Sequence, residues 1–249
     1  MLGDVGNLVK PVILCGGEGS RLRPLTYYFQ KTMIPVGRDQ RPLLEYILRH
    51  IRFYGFGEAV LLVGYKGEQV INYFGEGEKV GLRLHYVWDA ENAKGTCASL
   101  RNALAQNAFN TDDTLLIYYG DILTNLNLTE LINKHVHSKA AATLALSPRY
   151  QLPVGVADVV DGHVREMREK PYIPINVAIG ILALEASQLK HSGNAVDIMS
   201  ELIPLLIKRG EKISAYISDC FWYDVGSTEK YEKLSSQDVD KYLSSIMEG

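Results

Sequence analysis

Pro11-Val12-Ile13-Leu14-Cys15-Gly16-Gly17-Glu18-Gly19-Ser20-Arg21 is an apolar run that ends abruptly in a glycine-rich turn. The run from Pro11 to Cys15 has the length and composition of a buried strand. The glycines that follow let backbone N–H groups approach a phosphate without side-chain interference. The loop lacks the Lys-Ser/Thr ending of a P-loop, and its spacing differs from the dinucleotide fingerprint. Taken alone it reads more readily as a tight turn between a strand and the next element than as a phosphate cradle, so its meaning depends on what surrounds it.

Outward from this stretch, apolar runs alternate with helical patterns through roughly the first half, as expected of a parallel sheet with crossover helices. Leu44, Ile47, Leu48 and Ile51 repeat at i, i+3, i+4 and i+7 and predict an amphipathic helix, followed by a strand at Ala59 to Val63. Glu68 to Phe74 is expected to be a short helix. Leu82, Leu84, Tyr86 and Trp88 alternate as a half-buried strand does, and Thr96 to Gln106 reads as helical. Leu115 to Tyr119 is a continuous apolar run suited to a central strand. Asp121 stands just past its carboxyl end, the edge where open α/β sheets bind ligands. Asn127 with Glu130 three residues later is a helix N-terminus signal.

The second half changes character. Thr143 to Ser147, Val154 to Val160 and Val164 to Met167 read as strands, the last two joined by the hairpin signal Asp161-Gly162. They predict a small antiparallel insertion beside the main sheet. A strand at Val177 to Leu184, an amphipathic helix at Val196 to Lys208, a strand near Ile213 to Ile217, a short strand at Trp222 to Val225 and a helix over 228–247 complete the pattern. Neither an internal repeat nor a hexapeptide periodicity is visible, so no appended β-helix domain is expected.

Hydrophobic residues make up 47% and charged residues 22% of the chain, the mix of a soluble globular protein. No stretch approaches the apolar length of a bilayer span, and Met1 to Lys10 carries Asp4 without the basic-then-apolar order of a signal peptide, so a cytoplasmic location is expected. Cys15, Cys97 and Cys220 are scattered and odd in number. They fit reduced thiols better than a disulfide framework, and they do not suggest a metal site. A net charge of −3 gives no reason to expect a nucleic-acid partner, so bound phosphate should be met by a few placed cations.

The glycine loop continues as Arg21-Leu22-Arg23-Pro24-Leu25-Thr26, then Lys31 and Ile34-Pro35-Val36. This resembles the sugar-1-phosphate nucleotidylyltransferase family, whose signature opens GGxGTRLxPLT and closes with a Lys-Pro pair before a short strand. Tyr119-Gly120-Asp121 is similar to the family's Gly-Asp, Trp222-Tyr223-Asp224-Val225-Gly226 to its Trp-x-Asp-[IV]-Gly, and Arg168-Glu169-Lys170-Pro171 to its Glu-Lys-Pro. The resemblance spans about Pro11 to Leu234. It implies an α/β fold, a Rossmann-like three-layer αβα sandwich with a mixed, mainly parallel central sheet. Residues 1–249 are expected to form a single domain with its catalytic core at about 10–235.

The resemblance also implies a reaction and its residues. A nucleotidyl group would pass from a nucleoside triphosphate to a sugar 1-phosphate, releasing pyrophosphate, with Mg2+ as cofactor held by Asp121 and Asp224. Arg21 and Lys31 would contact the triphosphate, cradled by Leu14, Gly16, Gly17, Gly19 and Ser20, while Gly95 and Thr96 lie near the nucleobase. Gly155, Glu169, Lys170 and Asn176 would face the sugar phosphate. Physically, a guanidinium forks onto phosphate oxygens and a lysine acts as a mobile point charge. Two carboxylates completed by phosphate oxygens and water suit a hard cation such as Mg2+.

The sequence departs from the family at Gln30 and Thr32, where prolines usually flank the lysine, and at Asn176-Val177-Ala178, where Asn-Ala-Gly is commoner. Arg23 and Glu18 are expected to face solvent. Asp89 and Glu91 precede Gly95; a carboxylate can accept from both N1–H and the amino group of guanine, which points to GTP and hence to mannose 1-phosphate. UTP, dTTP or CTP with glucose 1-phosphate is the alternative. Family members commonly form homo-oligomers. A non-catalytic regulatory relative would be expected to lose an acid or the loop lysine, and Asp121, Asp224 and Lys31 are all retained. A dinucleotide-dependent oxidoreductase is disfavoured by the loop spacing.

Overall fold

Every second residue of the first strand faces the same side, and the two sides bury different partners. The computed structural model describes residues 9–90 and 94–248. In β1 (Val9–Cys15), Ile13 and Cys15 join one buried cluster and Val12 joins another across the sheet. This two-sided burial is why the strand reads as continuous apolar sequence.

The cluster on one side is built with α1 (Leu43–Phe53), α2 (Gly67–Phe74), α4 (Leu128–Ser138) and α7 (Ser236–Glu248). The other side is covered by α3 (Thr96–Ala105) and by the segment from Ile198 into α5 (Ile203–Lys208). The arrangement is therefore the expected three-layer αβα sandwich.

Between the layers lies a sheet of β1, β4 (Glu58–Val63), β5 (Arg83–Trp88), β6 (Thr114–Tyr119), β8 (Ala142–Ser147), β13 (Val177–Glu185) and β14 (Ile213–Ile217). Its order is β14-β8-β13-β6-β1-β4-β5. Only β13 runs against its neighbours, pairing antiparallel with both β6 and β8. Smaller pairs flank the sheet: β2 (Pro35–Val36) with β3 (Arg41–Pro42), β7 (Ile122–Thr124) with β15 (Trp222–Asp224), β9 (Tyr150–Gln151) with β12 (Tyr172–Ile173), and β10 (Val156–Val160) with β11 (His163–Arg168). The last is the expected antiparallel insertion. Its turn residues Asp161 and Gly162 have φ 50° and 78°, the left-handed pair of a type I′ hairpin.

Three elements differ from the sequence expectation. The helix expected at Val196 to Lys208 begins as a π turn at Ile198–Leu202 before α5. Pro204 lacks the N–H an α ladder needs there, and Leu202 N–H instead reaches the Asp197 carbonyl at 3.0 Å. The helix expected over 228–247 is broken into α6 (Thr228–Lys233) and α7, because Leu234 is extended and Ser235 Oγ accepts from Gln237 and Asp238 N–H groups. In β5 the alternation stops early: Val87 is buried, whereas Trp88 is exposed at the strand's end. The cap at α4 forms as read, with Asn127 accepting from Glu130 N–H at 3.0 Å.

Candidate active site

Parallel strands bring their carboxyl ends to one edge, and there β1, β4, β5 and β6 open into a cavity of about 640 Å³. The chain crosses from β1 towards β4 on one side, while β6 lies on the other, so the mouth sits at a topological switch point. Leu14, Gly16 and Gly17 wall it from β1, Gly120 and Asp121 from β6, and Gly95 and Thr96 from the start of α3. Lys31 and Asp89 complete the expected residues in this wall.

The glycine loop is held by its own contacts. Gly19 has φ 62°, a conformation glycine adopts without strain. An added Cβ would stand 2.8 Å from Thr26 Cγ2 and 3.2 Å from Lys31 Cβ. Thr26 Oγ1 donates to the Gly19 carbonyl at 2.9 Å. Neither Gly19 nor the exposed Ser20 lines the cavity; Gly19 instead packs against Thr26 and the stem of Lys31. Arg23 faces solvent as expected, 3.6 Å from Glu18.

Gln30 supplies the stiffness that a proline gives elsewhere. Its side chain is fully buried and donates to the Cys15 carbonyl at the end of β1. Its amide oxygen accepts from both the N–H and the Oγ1 of Thr32 at 2.6 Å. Lys31, fixed between these two residues, forms an ion pair with Asp121 Oδ2.

Asp121 lies in the turn just before β7, and Asp224 is the last residue of β15. Asp224 pairs with Ile122 in the β7–β15 ladder, and Val225 N–H donates to the Asp121 carbonyl at 2.8 Å. Asp224 is not part of the cavity wall. Its Oδ2 accepts from Lys230 Nζ at 2.5 Å, while its Oδ1 is buried without a hydrogen-bond partner. Arg21 also lies outside the cavity wall but beside this acid: a Cβ on Gly226 would stand 2.5 Å from Asp224 Oδ1 and 3.3 Å from Arg21 Nη2. A buried carboxylate oxygen without a donor is costly, and a hard cation is a fitting partner for it. Among the described residues, no cluster of three or more His, Cys, Asp or Glu side chains forms a metal site, and a site of two carboxylates falls below that number.

Within the cavity wall, the Asp89 carboxylate occupies the space where a Cβ on Gly16 would project. Burial raises its pKa above the ordinary aspartate value, against a hydrogen bond from Ser99. Glu91 lies outside the described residues. Thr96 is committed within the protein: its hydroxyl donates to Asp197 at 2.9 Å and accepts from Ile198 N–H at 2.8 Å. The neighbouring Tyr119 hydroxyl is buried with no well-formed hydrogen bond, and burial lifts its pKa to about 12 against the opposing effect of the nearby Thr96 hydroxyl.

Of the expected sugar-phosphate residues, Gly155, Glu169 and Lys170 form an open group away from the cavity. The Glu169 carboxylate lies 2.9 Å from a Cβ built on Gly155, and Lys170 Nζ is 3.8 Å from Glu169 Oε1. Asn176 is exposed. None of the four lines the cavity.

With this geometry in view, the profile of the family described as "Nucleotidyl transferase" matches residues 10–241. The chain belongs to that family. It is 30% identical over 241 residues to a UTP–glucose-1-phosphate uridylyltransferase of Synechocystis, covering 90% of this chain and 61% of the relative. It is 29% identical over 235 residues to a mannose-1-phosphate guanylyltransferase of Mycobacterium tuberculosis, covering 92% and 64%. The chain thus spans less than two thirds of these curated relatives. In fold it matches HddC from Yersinia pseudotuberculosis complexed with GMP-PN at a TM-score of 0.71, with 17% identity over 92% of this chain and 99% of that one.

Several wall residues gave no distinct sequence signal. Tyr65 and Trp88 line the cavity, although Trp88 reads only as the last residue of a strand and Tyr65 lies outside every motif. Gly64 matters because a Cβ there would stand 2.8 Å from the Gly16 carbonyl. Lys230 sits in a helical pattern that says nothing of its partner Asp224.

Proposed function

We propose that the protein transfers a nucleotidyl group from a nucleoside triphosphate to a sugar 1-phosphate, releasing pyrophosphate, and that its preferred pair is GTP and mannose 1-phosphate. The observation carrying this is the junction of β7 and β15, where Asp121 in the turn entering β7 meets the Asp224 end of β15, with Lys31 on the one acid and Arg21 near the other. The family and the relatives, which differ in base and sugar, support the reaction class.

The sugar phosphate oxygen attacks the α-phosphorus, one P–O bond forms, and the bond to the β-phosphate bridging oxygen breaks. No general base is required, since a phosphate monoester with a second pKa of about 6 is largely ionised at neutral pH. The difficulty is the approach of two anions. Lys31 and Arg21 neutralise charge near the α-phosphate, and the backbone at Gly16 and Gly17 admits the phosphates closely. Asp121 and Asp224 would hold Mg2+, which neutralises phosphate charge when bound. The open group around Glu169 and Lys170 would receive the sugar phosphate.

Asp89 carries the base choice. Its carboxylate can accept two hydrogen bonds from guanine, whereas uracil and thymine offer one donor. The absence of a nucleic-acid partner, the cytoplasmic location and homo-oligomerisation belong to the same proposal; among the described residues no helix is long and apolar enough to cross a membrane. The test is a matrix of GTP, UTP, dTTP and CTP against sugar 1-phosphates with pyrophosphate detection. Pyrophosphate release greatest with GTP and mannose 1-phosphate supports the proposal. Release with another pair overturns the substrate choice, and release with none overturns the reaction.

A further inference from the structure

Three cations converge on the two acids, and one of them stands outside the roles assigned above. Lys31 neutralises Asp121, and Arg21 borders the partnerless oxygen of Asp224. Lys230 closes on the other oxygen of Asp224 at 2.5 Å. Its backbone is fixed in the first turn of α6, where Lys230 N–H donates to Ser227 Oγ at 3.3 Å. Its side chain is 44% exposed, against 25% for Asp224. The ammonium can therefore withdraw into water on its flexible stem, while the carboxylate cannot follow.

Resting on the Mg2+ role given to Asp121 and Asp224, we propose that Lys230 is an internal counter-cation that occupies Asp224 until a divalent cation displaces it. Each acid is then balanced by one lysine, so the pair does not repel itself within the fold. An entering metal ion finds Oδ1 free of hydrogen bonds but must break the Lys230 ion pair at Oδ2 and tolerate the freed ammonium nearby. Lys230 thereby lowers the affinity for metal alone. A bound triphosphate supplies the negative charge that offsets the freed lysine, so metal and nucleotide bind with positive coupling. Lys230 acts through Asp224 and is a positioning residue.

The test titrates Mn2+ alone into the full-length protein and reads the free ion by electron paramagnetic resonance. Wild type is compared with Lys230→Met, Lys230→Gln and Lys230→Arg, each first checked by circular dichroism melting. Lys230→Met and Lys230→Gln are expected to bind Mn2+ about fivefold more tightly, the scale set by a half-exposed ion pair plus like-charge repulsion. Lys230→Arg is expected to match wild type. Unchanged, weaker or undetectable Mn2+ binding in the folded Met and Gln variants overturns the inference. Adding Asp224→Asn to Lys230→Met separates the two claims. Loss of the ion there keeps the metal role of Asp224, whatever the effect of Lys230, while undiminished binding removes that role and the inference with it.

Discussion

Asp224 has one buried oxygen with no donor and another held by a lysine. Removing the charge from either acid while keeping its shape tests what that arrangement is for. Asp121→Asn or Asp224→Asn should lower kcat by about 10²- to 10³-fold, the cost of losing one electrostatic stabiliser, with the far-ultraviolet circular dichroism unchanged; wild-type turnover in either variant would refute the assignment. Gln30→Ala should cost about 2–3 kcal/mol, because it orphans the Cys15 carbonyl and both donors of Thr32. It should also lower kcat more than it raises KM, since Lys31 loses its fixed stem; steady-state kinetics with a urea melt reads both. Asp89 has its pKa raised by burial, so its charged form is held at a cost in stability at neutral pH. Asp89→Asn should therefore raise Tm while erasing the preference for GTP over UTP. In wild type that preference should fade on acidification at a pH above the ordinary aspartate range, as a ratio of kcat/KM values. The two acids and the loop glycines could be proposed from sequence because they follow or end strands in recognisable motifs, and Lys31 because it continues the motif of the loop. Lys230 and Gln30 were not, because their meaning lies in partners that only folding brings near.

Elements carry their own signals to different depths. Runs buried on both faces, such as β1, β4 and β6, were readable almost to the residue, because burial on both sides demands apolar side chains at every position. The split of the last helix and the π turn before α5 were not, since each depends on where single N–H groups find acceptors. The α1 element carries a further test. His50 is fully buried in it, sharing its ring nitrogens between the Tyr118 hydroxyl at 3.2 Å and the Leu126 carbonyl at 3.0 Å. Burial lowers its pKa from 6.5 to about 4. The neutral ring is the folded form, so this contribution is complete above pH 6.5 and is lost as the pH falls through about 4. The loss amounts to about 3 kcal/mol. Urea melts across that range should show the decline, and His50→Gln should flatten it.

Across the whole molecule, the sheet is sandwiched between two cores, and the last helix belongs to one of them. Val239, Leu243 and Ile246 are buried there. Leu243→Ala should destabilise the protein by about 2–5 kcal/mol, read as a lower urea midpoint with unchanged slope. The order of layers could be anticipated from alternating strands and helices, but the reversal of β13 could not, because direction is set by which neighbours a strand meets. The β7–β15 ladder joins residues far apart along the chain, and Thr228 and Tyr231 then tie α6 to the Arg21, Arg23 and Pro35 carbonyls. Contacts between distant segments close late. During synthesis the glycine loop leaves the ribosome long before Asp224. On the proposed reading, a nascent chain halted short of β15 would carry the loop for the triphosphate yet lack one of the two acids assigned to the metal.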